Sequence, residues 1–300
     1  MRRKVACVLL GISAAAAVSL RTRTVRKHRE DWLQRVRAMG NTSLAVLLFD
    51  VGANSGEWTA RMVDQVDKLA PGSMAEPHIF EPQPMYAPRL QALAQAVPSG
   101  FFLPVAAHTR GGHLTFYFGN GNESTSASLV ASHMAGAAGS VTVATLDFAR
   151  YLCQRAHGCA HGGCIGFLKV DVEGAEYPLL AHVVRRAGSA LCQLFTHILV
   201  EWHFDKADAS ARREALAFQV HLNETLHMGC QGLQHPAPFI AHDIIPLNNK
   251  FAQLPGEMER AEASGGHAAF FGSCPAPDRG ARPKARRELL SGWRKAGGAR

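Results

Sequence analysis

The chain reads as an α/β domain built on a doubly wound, mostly parallel sheet with helices on both faces. Three observations predict this. Strand-like apolar runs alternate with helix-length segments from residue 45 to residue 228, the order expected of repeated βαβ units. The first run, in LLFDVGANSGEWT (residues 47–59), breaks on a glycine-containing turn that opens a helix. The runs end in or beside acids, Asp50, Glu81, Asp171 and Glu201, on the edge where sheets of this kind bind ligands.

Taken in order, the first strand covers residues 45–49, stops at Asp50 and turns on Gly52, with a helix starting near Gly56 and Glu57 in its first turn. Glycine at such a turn allows a positive φ and close approach of a ligand to the backbone. Asn54 tolerates left-handed geometry and can bond the local backbone. PHIFEP (77–82), FFLPVAA (101–107), GFLKVDV (166–172) and HILVEWH (197–203) supply the second to fifth strands. Helices are expected over residues 56–69, 86–96, 146–154, 175–186 and 208–228. Between the third and fourth strands, GGHLTFYFGNGNESTSASLV (111–130) reads as an extended, hairpin-like excursion followed by a polar loop. VTVATLDF (141–148) then reads as a short strand and a helix start capped by Thr145.

Along the fourth strand, Lys169, Asp171 and Glu173 alternate and should share a face. A lysine between apolar neighbours on a central strand needs an anionic partner, and the acids beyond it are candidates. Asp171 and Glu173 have a plainer alternative, capping the helix that begins near Gly174, where acids are favoured. Glu176 is expected on the solvated face of that helix. Glu201 and His203 share a face at the end of the fifth strand, His203 being either a base or a satisfied structural histidine.

The net charge of +8 is unevenly spread: residues 1–37 carry +8 and residues 279–300 carry +7, leaving −7 on the 241 residues between them. A mildly acidic body argues against a nucleic-acid-binding core, which needs a basic footprint. Val5 to Leu20 is a mostly apolar run between basic flanks. As a helix its sixteen residues span roughly 24 Å, short against a hydrocarbon core of about 30 Å. It fits a signal peptide or signal anchor over residues 1–30, followed by a 31–44 linker. The expected location is the secretory pathway, as a type II Golgi or endoplasmic-reticulum membrane protein or a secreted one. An Arg-rich mitochondrial or plastid presequence is the rival. Sequons at Asn41, Asn122 and Asn223 favour the secretory route, as do six cysteines beyond Cys7, an even number suited to disulfides. CQRAHGCAHGGC (153–164) holds three of them with two histidines. It matches no standard zinc spacing and reads as a disulfide-tied loop. A domain over 45–272 and a basic tail over 273–300, disordered or surface-adsorbing, complete the division.

Acids at the mouth of a sheet repel phosphate, and no GxGxxG is present, so a nucleotide diphosphate is disfavoured. A cation with free ribose hydroxyls fits better, and S-adenosyl-L-methionine is one. Glu81 at the end of the second strand can accept both ribose hydroxyls, each such bond contributing about 1.5–3 kcal/mol. Asp50 and the turn backbone would face the methionine portion.

FDVGANSGEWT, IFEPQPMYAPRL, FLKVDVEGAEYPLL and ILVEWH, in this order, resemble the FkbM-type methyltransferases over roughly residues 45–205. The resemblance implies a class I Rossmann-like methyltransferase fold, S-adenosyl-L-methionine as donor, and a hydroxyl of a sugar, glycan or natural product as acceptor. By position it makes Asp50, Gly52, Ala53, Asn54, Gly56, Glu81 and Asp171 cofactor-binding residues and Asp171 and Glu173 the family hallmark. The cysteine-rich segment and the basic tail depart from the family core. The expected chemistry is in-line attack of the acceptor hydroxyl on the donor methyl, with positioning supplying most of the rate. Asp171 is the first candidate base and His203 the second, with Glu173 beside them. No metal ligands are assigned. Two alternatives stand: a nucleotide-dependent enzyme on a similar sheet, and a non-catalytic binding module tethered to a membrane through its N-terminal segment.

Overall fold

A computed structural model of the protein describes residues 45–118, 127–128, 139–159, 164–203, 209–231, 238–244 and 271–275, with Glu30 and Gln34. The expected leader up to residue 29, most of the 31–44 linker, Asn41, Asn122 and the tail beyond 275 lie outside the described residues. Among those described, no helix is long and apolar enough to cross a membrane.

Ten strands are described: β1 (Ala45–Val51), β2 (Met74–Phe80), β3 (Phe101–Leu103), β4 (Ala106–His108), β5 (Gly112–Phe118), β6 (Ala127–Ser128), β7 (Gly139–Asp147), β8 (Cys164–Val170), β9 (His197–Trp202) and β10 (Phe239–Ile244). The helices are α1 (Glu57–Leu69), α2 (Ala87–Ala96), α3 (Phe148–Cys159), α4 (Glu176–Leu194) and α5 (Ala209–Gly229), with a 3₁₀ turn at Pro84–Tyr86. The main sheet runs β10-β9-β8-β1-β2-β3, every neighbouring pair parallel. The chain winds outward from β1 to β3, then returns to lay β8 on the other side of β1. That reversal is the switch point at which ligands of doubly wound sheets bind.

Alternation on β1 explains why both faces are covered. Leu47, Phe49 and Val51 belong to a core built with α3, α4 and α5, whereas Val46 and Leu48 pack with Met62 and Val66 of α1. A strand buried on both sides reads as a continuous apolar run, as AVLLF does. Ala53, Ile79, Leu90 and Ala94 close the α2 side.

Several boundaries differ from expectation. FFLPVAA does not continue as one strand: only β3 joins the main sheet, and β4 pairs with β7 in a second, four-stranded sheet of order β4-β7-β5-β6. Pro104, which has no N–H to give to a ladder, stands between the two. Thr145 does not cap α3. It lies within β7, its hydroxyl donates to the Arg110 carbonyl at 2.9 Å, and Asp147 Oδ1 accepts from the Arg150 amide at 3.1 Å instead. β10 was not read from the sequence.

Helix α4 was expected to end at residue 186, and Ala187 is its non-helical point. The interruption has an identifiable cause. Val184 gives its carbonyl to the Gly272 amide at 2.9 Å, and the Ser189 amide donates to the Gly272 carbonyl at 3.0 Å. The segment 271–275 is inserted into the helix ladder, a recognised origin of kinks. The Phe271 ring occupies the space a side chain would need at Gly188 and Gly229. Cys274 is bonded to Cys153, and Cys192 to Cys230; Cys159 is also disulfide-bonded. The folded unit therefore reaches past residue 272. Closing loops of 121 and 38 residues stabilises by about 4–5 kcal/mol each in the chain-entropy account.

Candidate functional site

Strand register assembles the rim of the site. Val51 lies opposite Phe80 on one side and Val170 on the other, so the next residues, Gly52, Glu81 and Asp171, emerge side by side at the carboxyl edge. One residue earlier, Asp50 faces Lys169 across the ladder. Asp50 is completely buried; its Oδ2 accepts from Thr59 Oγ1 at 2.6 Å and its Oδ1 pairs with Lys169 Nζ at 3.2 Å. Lys169 also donates to the Gly52 carbonyl at 3.0 Å and pairs with Asp171 Oδ2 at 3.1 Å. Burial works against the ammonium, but Asp50 and Asp171 outweigh it and hold the lysine pKa above its ordinary value. The anionic partners expected for Lys169 are thus one acid from the neighbouring strand and one from its own.

Gly52 and Gly56 have φ of 82° and 77°, and Asn54 of 50°. At Gly52 the cause is close packing of protein on protein, because a Cβ there would lie 1.7 Å from the Asp171 carbonyl oxygen. At Gly56 a Cβ would lie 2.6 Å from Leu90 Cδ2, so this glycine seats α1 against α2. Ala53 is buried beside Ile79 and Leu90, and its amide donates to the Phe80 carbonyl at 3.0 Å.

Glu81 is 3% exposed. Its Oε2 accepts from the Asn54 amide at 2.8 Å and its Oε1 from the Gln83 amide at 2.9 Å. Burial raises its pKa; the two amides pull the other way and the charge on Asp50 adds to the rise. The Gln83 side chain also hydrogen-bonds the carboxylate, which is thus an acceptor fixed at the pocket rim.

The second cluster joins β8, α4 and β9. His203, 3% exposed, has Nδ1 2.9 Å from Glu176 Oε1, while its Nε2 faces Glu173 Oε2 at 3.3 Å and Asp171 Oδ1 at 3.9 Å. Glu176 is not on a solvated face. It is 2% exposed, and the same Oε1 accepts from the amides of Val172 and Gly174 at 3.1 Å each. The sequence carried the signal: Glu176 stands three, four and seven residues before Leu179, Leu180 and Val183, all buried, hence on the inward stripe of α4. Glu173 adopts φ 58°, uncommon for a side chain of its size, and this turns it toward His203. Burial disfavours the imidazolium, but Glu176, Asp171 and Glu201 outweigh it and raise the His203 pKa.

A pocket lies over these strand ends. Gly52, Asn54, Glu81, Gln83, Asp171 and Glu173 form its polar side, and Phe80, Val105, Ala106, Leu114 and Phe116 its apolar side. Leu114 and Phe116 come from β5, so the second sheet walls the site, a role not read from the sequence although HLTFYF alternates as a half-buried strand should. Among the described residues lining it there is no lysine or arginine. A phosphate would meet three carboxylates, of which only Asp171 has a lysine behind it, whereas a cation with hydroxyls would find acceptors.

A family model, the methyltransferase FkbM domain, matches residues 50–228. The chain belongs to the FkbM methyltransferase family. No curated protein and no solved structure matched. The family accounts for the parallel sheet and implies a methyl donor. In this FkbM domain the residues expected at the site divide into two groups. Gly52, Asn54, Glu81, Asp171 and Glu173 line the pocket. Asp50, Ala53, Gly56 and His203 stand behind that lining, Asp50 holding Lys169 and His203 backing the two acids.

Proposed function

We propose that this FkbM methyltransferase transfers a methyl group from S-adenosyl-L-methionine to a hydroxyl of a sugar, glycan or natural product. The observation that carries the cofactor assignment is Glu81. Its carboxylate is buried at the pocket rim and locked by two backbone amides, one from the glycine turn, and its acceptor capacity suits a vicinal diol. The donor set fits the cofactor: Glu81 would take the ribose hydroxyls, and Asp171 and Glu173 would face the positive methionine end. The apolar wall of Phe80, Val105, Leu114 and Phe116 would shield the adenine of the cofactor from water. When bound, the cofactor supplies an electrophilic methyl on a sulfonium.

The chain's own residues position the acceptor and take its proton. Asp171 lines the pocket; its Oδ2 is held by Lys169 at 3.1 Å, which fixes the carboxylate and leaves Oδ1 on the side of His203. That oxygen receives the hydroxyl proton, a contribution of about 10²–10⁴-fold. Glu176 fixes the ring of His203 behind it. The test supplies labelled S-adenosyl-L-methionine and a panel of glycans and hydroxylated metabolites to the purified chain. A methyl ether on one acceptor, lost by about 10²–10⁴-fold in Asp171→Asn with cofactor affinity changed far less than in Glu81→Ala, supports the assignment. An N- or C-methylated product, or full turnover in Asp171→Asn, removes it. A lumenal membrane or secreted setting goes with this acceptor class; the disulfides and the exposed Asn223 on α5 are consistent with it.

A further inference from the structure

We propose that Asp171, Glu173 and His203 form a binding site for one divalent cation at the carboxyl ends of β8 and β9, open toward the pocket. One donor atom from each lies within 4.8 Å of the other two, and His203 Nε2 is 3.3 Å from Glu173 Oε2 and 3.9 Å from Asp171 Oδ1. Donors held roughly 2.0–2.2 Å from a common ion stand about 3–3.5 Å apart, so small rotamer changes bring this trio to bonding distance.

The surroundings match a metal-binding histidine. Nδ1 is fixed by Glu176, itself buried and anchored on two backbone amides. A carboxylate behind the distal nitrogen sets the tautomer and aims the other nitrogen, as behind metal-ligating imidazoles generally. Asp171 has divided duties: Oδ2 is held by Lys169, and Oδ1 is the oxygen facing His203. Charge points the same way. Asp50, Asp171, Glu173 and Glu176 meet one lysine here, and Asp50 and Glu176 are buried. A divalent cation would offset most of that excess.

One nitrogen and two carboxylates suit manganese or zinc. Three protein ligands leave coordination positions open, and Asp171 and Glu173 line the pocket, so these positions face the acceptor. An acceptor with adjacent oxygens, such as a vicinal diol, would chelate there. With an ion bound, Asp171 Oδ1 is a ligand and not the base, and the ion instead acidifies the hydroxyl it holds, the proton passing to solvent. Only the chelation of the acceptor rests on the methyl-transfer proposal; the cation site does not.

The test titrates Mn²⁺ into the metal-stripped full chain without methyl donor, following free Mn²⁺ by electron paramagnetic resonance. One ion per chain is expected, with affinity at least about 10-fold lower in Glu173→Gln and His203→Gln, and about 10- to 100-fold lower in Glu176→Gln. Glu173 is only partly buried, so its variant decides the matter should the His203 variant misfold, as melting curves will show. No saturable uptake of Mn²⁺ or Zn²⁺, or uptake unchanged in Glu173→Gln, overturns the site. Uptake as expected by a chain that methylates nothing leaves the site standing and the methyl-transfer proposal fallen.

Discussion

Lys169→Met is a direct probe of how the strand ends are held together. The lysine is 12% exposed and bridges Asp50, Asp171 and the Gly52 carbonyl at 3.2, 3.1 and 3.0 Å. Methionine has similar length but no charge, so the substitution leaves Asp50, with no exposed surface, carrying an unpaired negative charge opposite Asp171. Breaking a buried ion pair from one side costs about 3–5 kcal/mol. For a domain of this size each kcal/mol lowers Tm by about 2–4 °C, so a loss on the order of 6–20 °C is expected, measured alongside equilibrium urea unfolding. The double variant Asp50→Asn/Lys169→Met removes the stranded charge while an amide oxygen can still accept from Thr59. It should be more stable than Lys169→Met alone by about 1–3 kcal/mol. A single variant that loses under about 1 kcal/mol, or a double variant no better than the single, would refute the role given to the lysine.

Two further outcomes follow from the same geometry. Gly52→Ala should abolish cofactor binding and cost several kcal/mol on the scale of core overpacking, roughly 1–3 kcal/mol or more, because the new Cβ would lie 1.7 Å from the Asp171 carbonyl at φ 82°; a soluble, cofactor-binding variant of wild-type Tm would contradict this. His78 is stacked between Phe49 and Phe101, bonded to Tyr151 and Glu76, and burial pushes its pKa down to about 4. Protonation therefore favours the unfolded chain: its contribution is complete above pH 6.5 and falls by about 3 kcal/mol as pH drops toward 4. Urea titrations at pH 7 and 4.5 should show the loss in wild type and a smaller one in His78→Phe.

The alternation of strands and helices was legible because β1 and β8 are buried on both faces and read as unbroken apolar runs. The acids at the strand ends were legible because an ionised residue at the end of such a run must face a cleft or a partner. Other features depend on contacts distant in sequence. Glu176 read as a surface residue because its polarity was given more weight than its place on the α4 stripe; what permits its burial is His203, on another strand. The same holds for Asp50: its type marked the site, but only the β1–β8 register places it against Lys169. The extended excursion and the short strand read from the sequence are β5 and β7 of the second sheet, but β4 escaped notice because it follows β3 after two residues, within one apolar run. Cys274 fell in the segment assigned to the tail, and only the fold shows that it bonds to Cys153, 121 residues away.

The central claim is that Glu81 holds the methyl donor through its ribose. Isothermal titration of S-adenosyl-L-methionine into the wild-type chain and Glu81→Ala tests it most directly. The expected result is saturable one-to-one binding in wild type, weakened in the variant by about 2–3 kcal/mol, or roughly 30- to 150-fold, with the fold intact by melting. Equal affinity in the two proteins would contradict the claim.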